Sequence, residues 1–222
     1  MTQLAETLSK LLYKISPYDN FNPQEYLLDL QGWGSEHPIF EQVINAISPR
    51  LILEVGSWKG ASAIHIAKLL KAKNIDGAII CIDTWLGGLD NISDDPVSGI
   101  SKYRKHGYPT LYYQFLANVV HQEMQDYIIP FPTTSTIGAK YLAKFQLQAD
   151  LIYIDGSHEE DDVYTDLNYY WKLLKPHGIM IGDDWNAGEI WYGVICGVNR
   201  FVKEHNLNLT IVNDKWLLQK LL

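Results

Sequence analysis

The spacing of apolar residues changes partway along the chain. Near the N-terminus, Leu4, Leu8, Leu11, Leu12 and Ile15 recur at helical intervals, which predicts an amphipathic helix covering either the core or a partner subunit. Residues 17–38 contain Pro17, Pro23, Gly32, Gly34 and Pro38 and read as an irregular connection; a helix then runs from Pro38 to Ile47. Beyond it, short continuous apolar runs alternate with helical patterns. "RLILEVG" (50–56), "GAIICIDTW" (77–85), "DYIIPF" (126–131), "ADLIYIDG" (149–156) and "GIMIGDD" (178–184) predict strands. "ASAIHIAKLLKA" (61–72), "YPTLYYQFLANVVHQ" (108–122, with Pro109 in its first turn), "TIGAKYLAKF" (136–145), "DDVYTDLNYYWKLL" (161–174) and "GEIWYGVICGVNRFVKEH" (188–205) predict helices. "LNLTIVND" and "KWLLQKLL" predict two closing strands joined at Asn213–Asp214.

Strands that are apolar throughout need both faces covered. The pattern therefore predicts an α/β fold, a doubly wound and mostly parallel sheet of seven strands. The 222 residues suffice for one domain, 1–222, with 1–48 as an N-terminal helical extension. Residues 86–108, "LGGLDNISDDPVSGISKYRKHGY", are too long and polar for an ordinary connection. They read as a lid-like insertion or as a solvated loop.

The formal net charge of -8, with no basic run beyond Lys102–Arg104–Lys105, speaks against a nucleic-acid partner. The start, "MTQLAETLSKLLYKIS", lacks the features of a signal peptide, and no apolar run reaches the ~18 residues of a membrane span. A cytoplasmic protein without a membrane partner is the expectation. Cys81 and Cys196 sit in apolar contexts and read as buried free thiols.

Ligands of such sheets bind beyond the carboxyl ends of the strands, and here four strands end in acids: Glu54, Asp83, Asp155 and Asp183–Asp184. "EVGSWKG" (54–60) is a glycine turn whose Gly56 and Gly60 let backbone approach a ligand, or simply make the turn. It is not a phosphate-binding G-x-x-x-x-G-K-[ST] loop, and Trp58 spoils a G-x-G-x-x-G reading. Asp83 could accept the hydroxyls of a ribose, and Trp85 could lie against an adenine or pack in the core. Asp155, Asp183 and Asp184 on neighbouring strands would repel one another unless a cation such as Mg²⁺ were held between them. The bland alternative is that they cap a helix and make a turn. His158, three residues past Asp155, would overhang the same spot and could take a proton near neutral pH. Trp185, Trp191 and Tyr192 could wall a pocket or pack in the core.

"LEVGSWKGASA", "CIDTW", "LIYIDGSHEEDDVYTDL" and "LLKPHGIMIGDDW" together resemble class I S-adenosylmethionine-dependent methyltransferases. Within them the chain is most similar to the metal-dependent O-methyltransferase group of macrocin-type sugar methyltransferases and, more distantly, catechol O-methyltransferase. The resemblance implies a Rossmann-like sheet with an antiparallel last strand. It implies Glu54, Gly56, Ser57 and Ser62 around the methionine end of the cofactor, Asp83 on the ribose, and Ser135 and Thr136 by the adenine. Asp155, Asp183 and Asp184 match the metal ligands, with Mg²⁺ or another divalent cation expected, and His158 falls at the general base. The additional acid of some sugar-modifying relatives is Ser157 here. The implied acceptor is a small hydroxylated molecule, and a homo-oligomer is compatible with the N-terminal leucines. A nicotinamide-dependent oxidoreductase, a metal-dependent hydrolase and a non-catalytic binding module are the rival readings. The first lacks its glycine loop, and the second has no use for Asp83.

Overall fold

The computed structural model describes residues 1–88, 91, 99–186 and 191–221. Its elements are, in order, α1 (Gln3–Leu12), α2 (Ile39–Ile47), β1 (Leu51–Val55), α3 (Ala61–Ala72), β2 (Ala78–Asp83), β3 (Arg104–Lys105), β4 (Tyr108–Pro109), α4 (Leu111–His121), β5 (Ile128–Pro132), α5 (Ser135–Lys144), β6 (Ala149–Ile154), α6 (Glu160–Trp171), β7 (Leu174–Gly182), α7 (Tyr192–His205), β8 (Leu209–Val212) and β9 (Lys215–Gln219). Among the described residues the main sheet has seven strands in the order β5-β2-β1-β6-β7-β9-β8. The first five run parallel; β9 is antiparallel to both β7 and β8. The alternation of side chains sends Leu53, Val55, Ile80, Ile82 and Ile152 to one buried face, under α1, α5, α6 and α7. It sends Ile52, Ile79, Cys81, Leu151 and Tyr153 to the other, under α2, α3 and α4.

The chain runs outward from β1 to β2 and β5, then returns to place β6 on the other side of β1. That reversal opens a crevice at the carboxyl edge. Register aligns the edge. Val55 pairs with Ile82 and with Ile154, and Ile154 pairs with Gly182. The residues that follow each of these, Gly56, Asp83, Asp155 and Asp183, therefore fall in one row.

Several expectations need correction. Pro109 is not in the first turn of α4. It belongs to β4, which pairs with β3 through His106 and Gly107, both at positive φ. The 86–108 insertion thus contains a hairpin, while residues 89–90 and 92–98 of the proposed lid lie outside the described residues. β7 starts at Leu174, earlier than its apolar run, because Leu174 pairs with Ala149 of β6 before a register shift, after which pairing resumes at Ile179. Residues 188–190 of the last predicted helix lie outside the described residues. α1 buries Ala5 and Leu8 in the chain's own core. Of the thiols, Cys81 is buried, whereas Cys196 is only half-buried.

Candidate active site

The turn after β1 is built for close approach. Gly56 has φ 83°, and a Cβ there would sit 1.9 Å from the carbonyl oxygen of Asp155, so a side chain has no room. Gly60 (φ 85°) starts α3 against the ring of Phe115. Trp58 holds a left-handed φ of 46°, unusual for a bulky residue, because three contacts fix it. Its N–H donates to Asp83 Oδ2 (2.9 Å), its Nε1 donates to Gln31 Oε1 (3.2 Å), and its carbonyl accepts from Trp85 Nε1 (2.8 Å).

Asp83 also accepts from the Ser57 N–H on Oδ2 (2.9 Å) and from the Trp85 N–H on Oδ1 (2.8 Å). Burial raises its pKa, while these backbone donors oppose the rise. Glu54 points to the sheet face away from the edge and is fully buried. It accepts from the hydroxyls of Ser57 and Ser62, both at 2.6 Å, and its burial raises its pKa.

At the neighbouring strand ends, the Tyr153 hydroxyl lies 3.0 Å from Asp155 Oδ2 and 2.8 Å from Asp183 Oδ2. One phenolic proton cannot satisfy two ionised carboxylates at once. Asp155 is pushed well above the usual carboxylate range by burial and then by the charges of Asp183 and Asp184, while the Tyr153 hydroxyl opposes the rise. Asp183 Oδ1 accepts from the ammonium of Lys215 at 2.6 Å, and both side chains are buried. His158 Nε2 lies 3.0 Å from Asp184 Oδ2, and its ring packs on Trp191 with centroids 3.8 Å apart. That packing depends on Gly193, where a Cβ would come within 2.3 Å of the His158 carbonyl oxygen; α7 can lie on the loop only without one.

These groups surround a cleft of about 1000 Å³. Gly56, Ser57, Ser62, Asp83, Ser135 and Thr136 line one part; Asp155, His158, Asp183 and Asp184 line another. Glu54, Gly60 and Trp85 do not line it. Glu54 braces the loop from below, Gly60 sets the helix start, and Trp85 is buried between Tyr112 and Phe115 rather than offering a face to a ligand. Of the three other aromatics only Trp191 lines the cleft; Trp185 packs on the core and Tyr192 is exposed.

The sequence reading missed three contributors. Gly32, Trp33 and Ser35 of the extension form one wall. Lys59 ties that wall down: it is buried, 2.8 Å from Asp29 Oδ2 and 3.0 Å from Gln31 Oε1. Asp166, on α6, also lines the cleft, and burial raises its pKa to about 6.

The residues present fit a nucleoside-bearing cofactor: the Gly56–Ser57 turn and the Asp83 carboxylate line the cleft side by side. They fit a divalent cation poorly. Among the described residues no group of three or more His, Cys, Asp or Glu side chains is placed to hold a metal ion. Two of the three expected ligands already have partners, Lys215 and His158.

A doubly wound sheet, an antiparallel closing strand and an acid row over a glycine cradle define a Rossmann-like fold of the methyltransferase type. Solved structures share it across the whole chain. An O-methyltransferase from Bacillus cereus, solved with S-adenosylhomocysteine (SAH), is 14% identical with a TM-score of 0.61, covering 100% of this chain and 98% of that one. The O-methyltransferase TomG from Streptomyces achromogenes, solved with S-adenosylmethionine, is 14% identical with a TM-score of 0.60, covering 99% and 96%. At this identity the likeness concerns the fold. Residues 53–185 match the family described as "Methyltransferase domain", and the chain belongs to that family. A curated relative, uncharacterized protein R132 of Acanthamoeba polyphaga mimivirus, is 26% identical over 156 residues, 68% of this chain. The match spans 59% of that relative's length. No described helix is long and apolar enough to cross a membrane.

Proposed function

We propose that the protein is an S-adenosylmethionine-dependent O-methyltransferase acting on a hydroxyl of a small molecule. The observation that carries this reading is the row Gly56, Asp83, Asp155, Asp183 along one cleft, with His158 overhanging its acidic end. Family membership supports it.

S-adenosylmethionine, when bound, supplies an electrophilic methyl group on a sulfonium centre. The chain's own residues would do the rest. Gly56 and Ser57 let the loop backbone approach the cofactor, and Asp83 would receive the ribose hydroxyls on the lone pair of Oδ1 not directed at Trp85. Ser135 and Thr136 would flank the adenine. The carboxylates at the strand ends favour a cationic ligand in a partly buried cleft. His158 would accept the acceptor's proton, and Asp184, 3.0 Å away, would stabilise the imidazolium that results. Trp191 holds that ring in place by packing and excludes water from its face. A nicotinamide enzyme gains nothing from this acid row.

Calorimetry tests the reading. SAH should bind with a micromolar Kd and NAD should not. Radiolabelled methyl transfer to a panel of sugars and vicinal diols then locates the acceptor class. Preference for NAD, or no heat with SAH, sinks the reading.

A further inference from the structure

The geometry points to Lys215 as a built-in substitute for a divalent cation: its ammonium balances the acid cluster through Asp183, so that the site works without metal. The inference rests on the methyltransferase reading for its consequence, not for its evidence.

Three observations carry it. The first is register. Gly182 of β7 pairs with Trp216 of β9, so the next residue on one strand, Asp183, stands opposite the preceding residue on the other, Lys215. The two charges meet because of how the strands pair, not because a flexible side chain has strayed. The second is burial. Lys215 is 1% exposed and Asp183 7%, with 2.6 Å between Nζ and Oδ1. A lysine sealed this deeply cannot swing out to solvent to make way for an ion without unpacking its surroundings, and an ammonium this close repels any dication at the same oxygen. The third is the cover. A Cβ on Gly34 of the N-terminal extension would sit 2.5 Å from Lys215 Nζ and 3.5 Å from Asp183 Oδ2. The Gly34 backbone therefore packs directly over the pair and leaves no room for a further ligand on that side.

The remaining acids have partners within the chain as well. Asp184 lies beside His158, which carries a charge only when protonated, and Asp155 shares the Tyr153 hydroxyl with Asp183. Lys215 does not line the cleft, so it is a positioning residue, acting through Asp183 on what the cleft presents to a ligand.

The test uses the whole chain and Mn²⁺, followed by the paramagnetic resonance of the free ion, with SAH affinity measured separately by calorimetry. Wild-type protein should show no Mn²⁺ binding below about 1 mM, and EDTA should leave its SAH affinity and methyl transfer unchanged. Lys215→Ala should gain Mn²⁺ affinity by about tenfold or more, an effect that mere loss of packing would not produce. Lys215→Arg should remain metal-indifferent. Micromolar Mn²⁺ binding by the wild type that Asp183→Asn abolishes overturns the proposal, as does a folded Lys215→Ala protein with no gain. Should Lys215→Ala fail to fold, the wild-type titration and EDTA treatment still decide. Failure of SAH to bind removes the methyltransferase reading and leaves the Mn²⁺ result to be judged by itself.

Discussion

The ammonium of Lys59 lies 2.8 Å from Asp29 Oδ2, joining the loop after β1 to the N-terminal extension. Lys59 is 1% exposed and Asp29 35%, so the pair straddles the edge of the core. The Tyr103 hydroxyl donates to the same Asp29 oxygen at 2.8 Å, and Asn118 Nδ2 donates to the carbonyls of both Asp29 and Lys59. Lys59 and Asp29 thus join three segments beside the glycine turn. Asp29→Ala leaves that cation buried and unpaired, and should cost ~2–4 kcal/mol, below the full figure for a buried pair because Asp29 is partly solvated. Urea unfolding measures it. Proteolysis within residues 17–37 should accelerate, and SAH affinity should fall with it. An unaltered digestion pattern would mean that the extension is held by other contacts.

Gly56 is the least replaceable residue of the cradle. Gly56→Ala must clear the Asp155 carbonyl, which is backbone and cannot swing aside, and must also hold φ 83°. A loss of ~3 kcal/mol or more is expected, with SAH binding lost beyond detection. Gly60→Ala meets only the edge of the Phe115 ring at 2.9 Å and should cost ~1–2 kcal/mol while retaining some binding. Equal effects at the two positions would contradict the special closeness at Gly56.

Asp166 makes stability depend on pH in the direction opposite to a salt-bridged acid. Burial raises its pKa from 3.8 to about 6. The fold therefore prefers the protonated carboxyl. This contribution is full below pH ~4 and is lost as pH rises through about 6, amounting to as much as ~3 kcal/mol. Asp166→Asn, which mimics the protonated form, should be more stable than wild type at pH 7.5 and similar at pH 4.5. Unfolding midpoints at the two pH values check this; a variant equally destabilised at both would show that the carboxyl is not the source.

Much of this arrangement was written in local pattern. Apolar runs ending in Glu54–Gly56, Asp83, Asp155 and Asp183 located the strand ends, and the βα alternation fixed their common direction. What could not be read was whatever depends on distant strands meeting. Lys215 follows a turn in a sequence with no hint of chemistry, and only the antiparallel pairing of β9 with β7 brings it to Asp183. Lys59 and Asp29 are 30 residues apart across irregular backbone, where no periodicity guides an inference. The choice between the two readings of Trp85 was out of reach for a related reason. Being two residues past Asp83 says nothing about which way the chain turns, and it turns inward, burying the indole. Glu54 lies on the face shared by its neighbours in register, Cys81 and Tyr153, and only that cross-strand register places it beneath the loop.

The pairing of His158 with Asp184 separates binding from turnover. Neither residue belongs to the part of the cleft assigned to the nucleoside, so His158→Ala and Asp184→Asn should keep SAH affinity within about threefold. Methyl transfer to whichever hydroxyl the wild type accepts should fall by ~10²–10⁴ in His158→Ala, the usual worth of a positioned base. Asp184→Asn retains the shape and a hydrogen-bonding group beside the imidazole but loses the charge that favours its protonated form. It should therefore lose less rate than His158→Ala, and raising the pH should recover part of it as the acceptor ionises unaided. Single-turnover rates across a pH series measure both effects. A wild-type rate in His158→Ala would remove the imidazole from the chemistry, while SAH binding lost together with turnover would assign it to the cofactor instead.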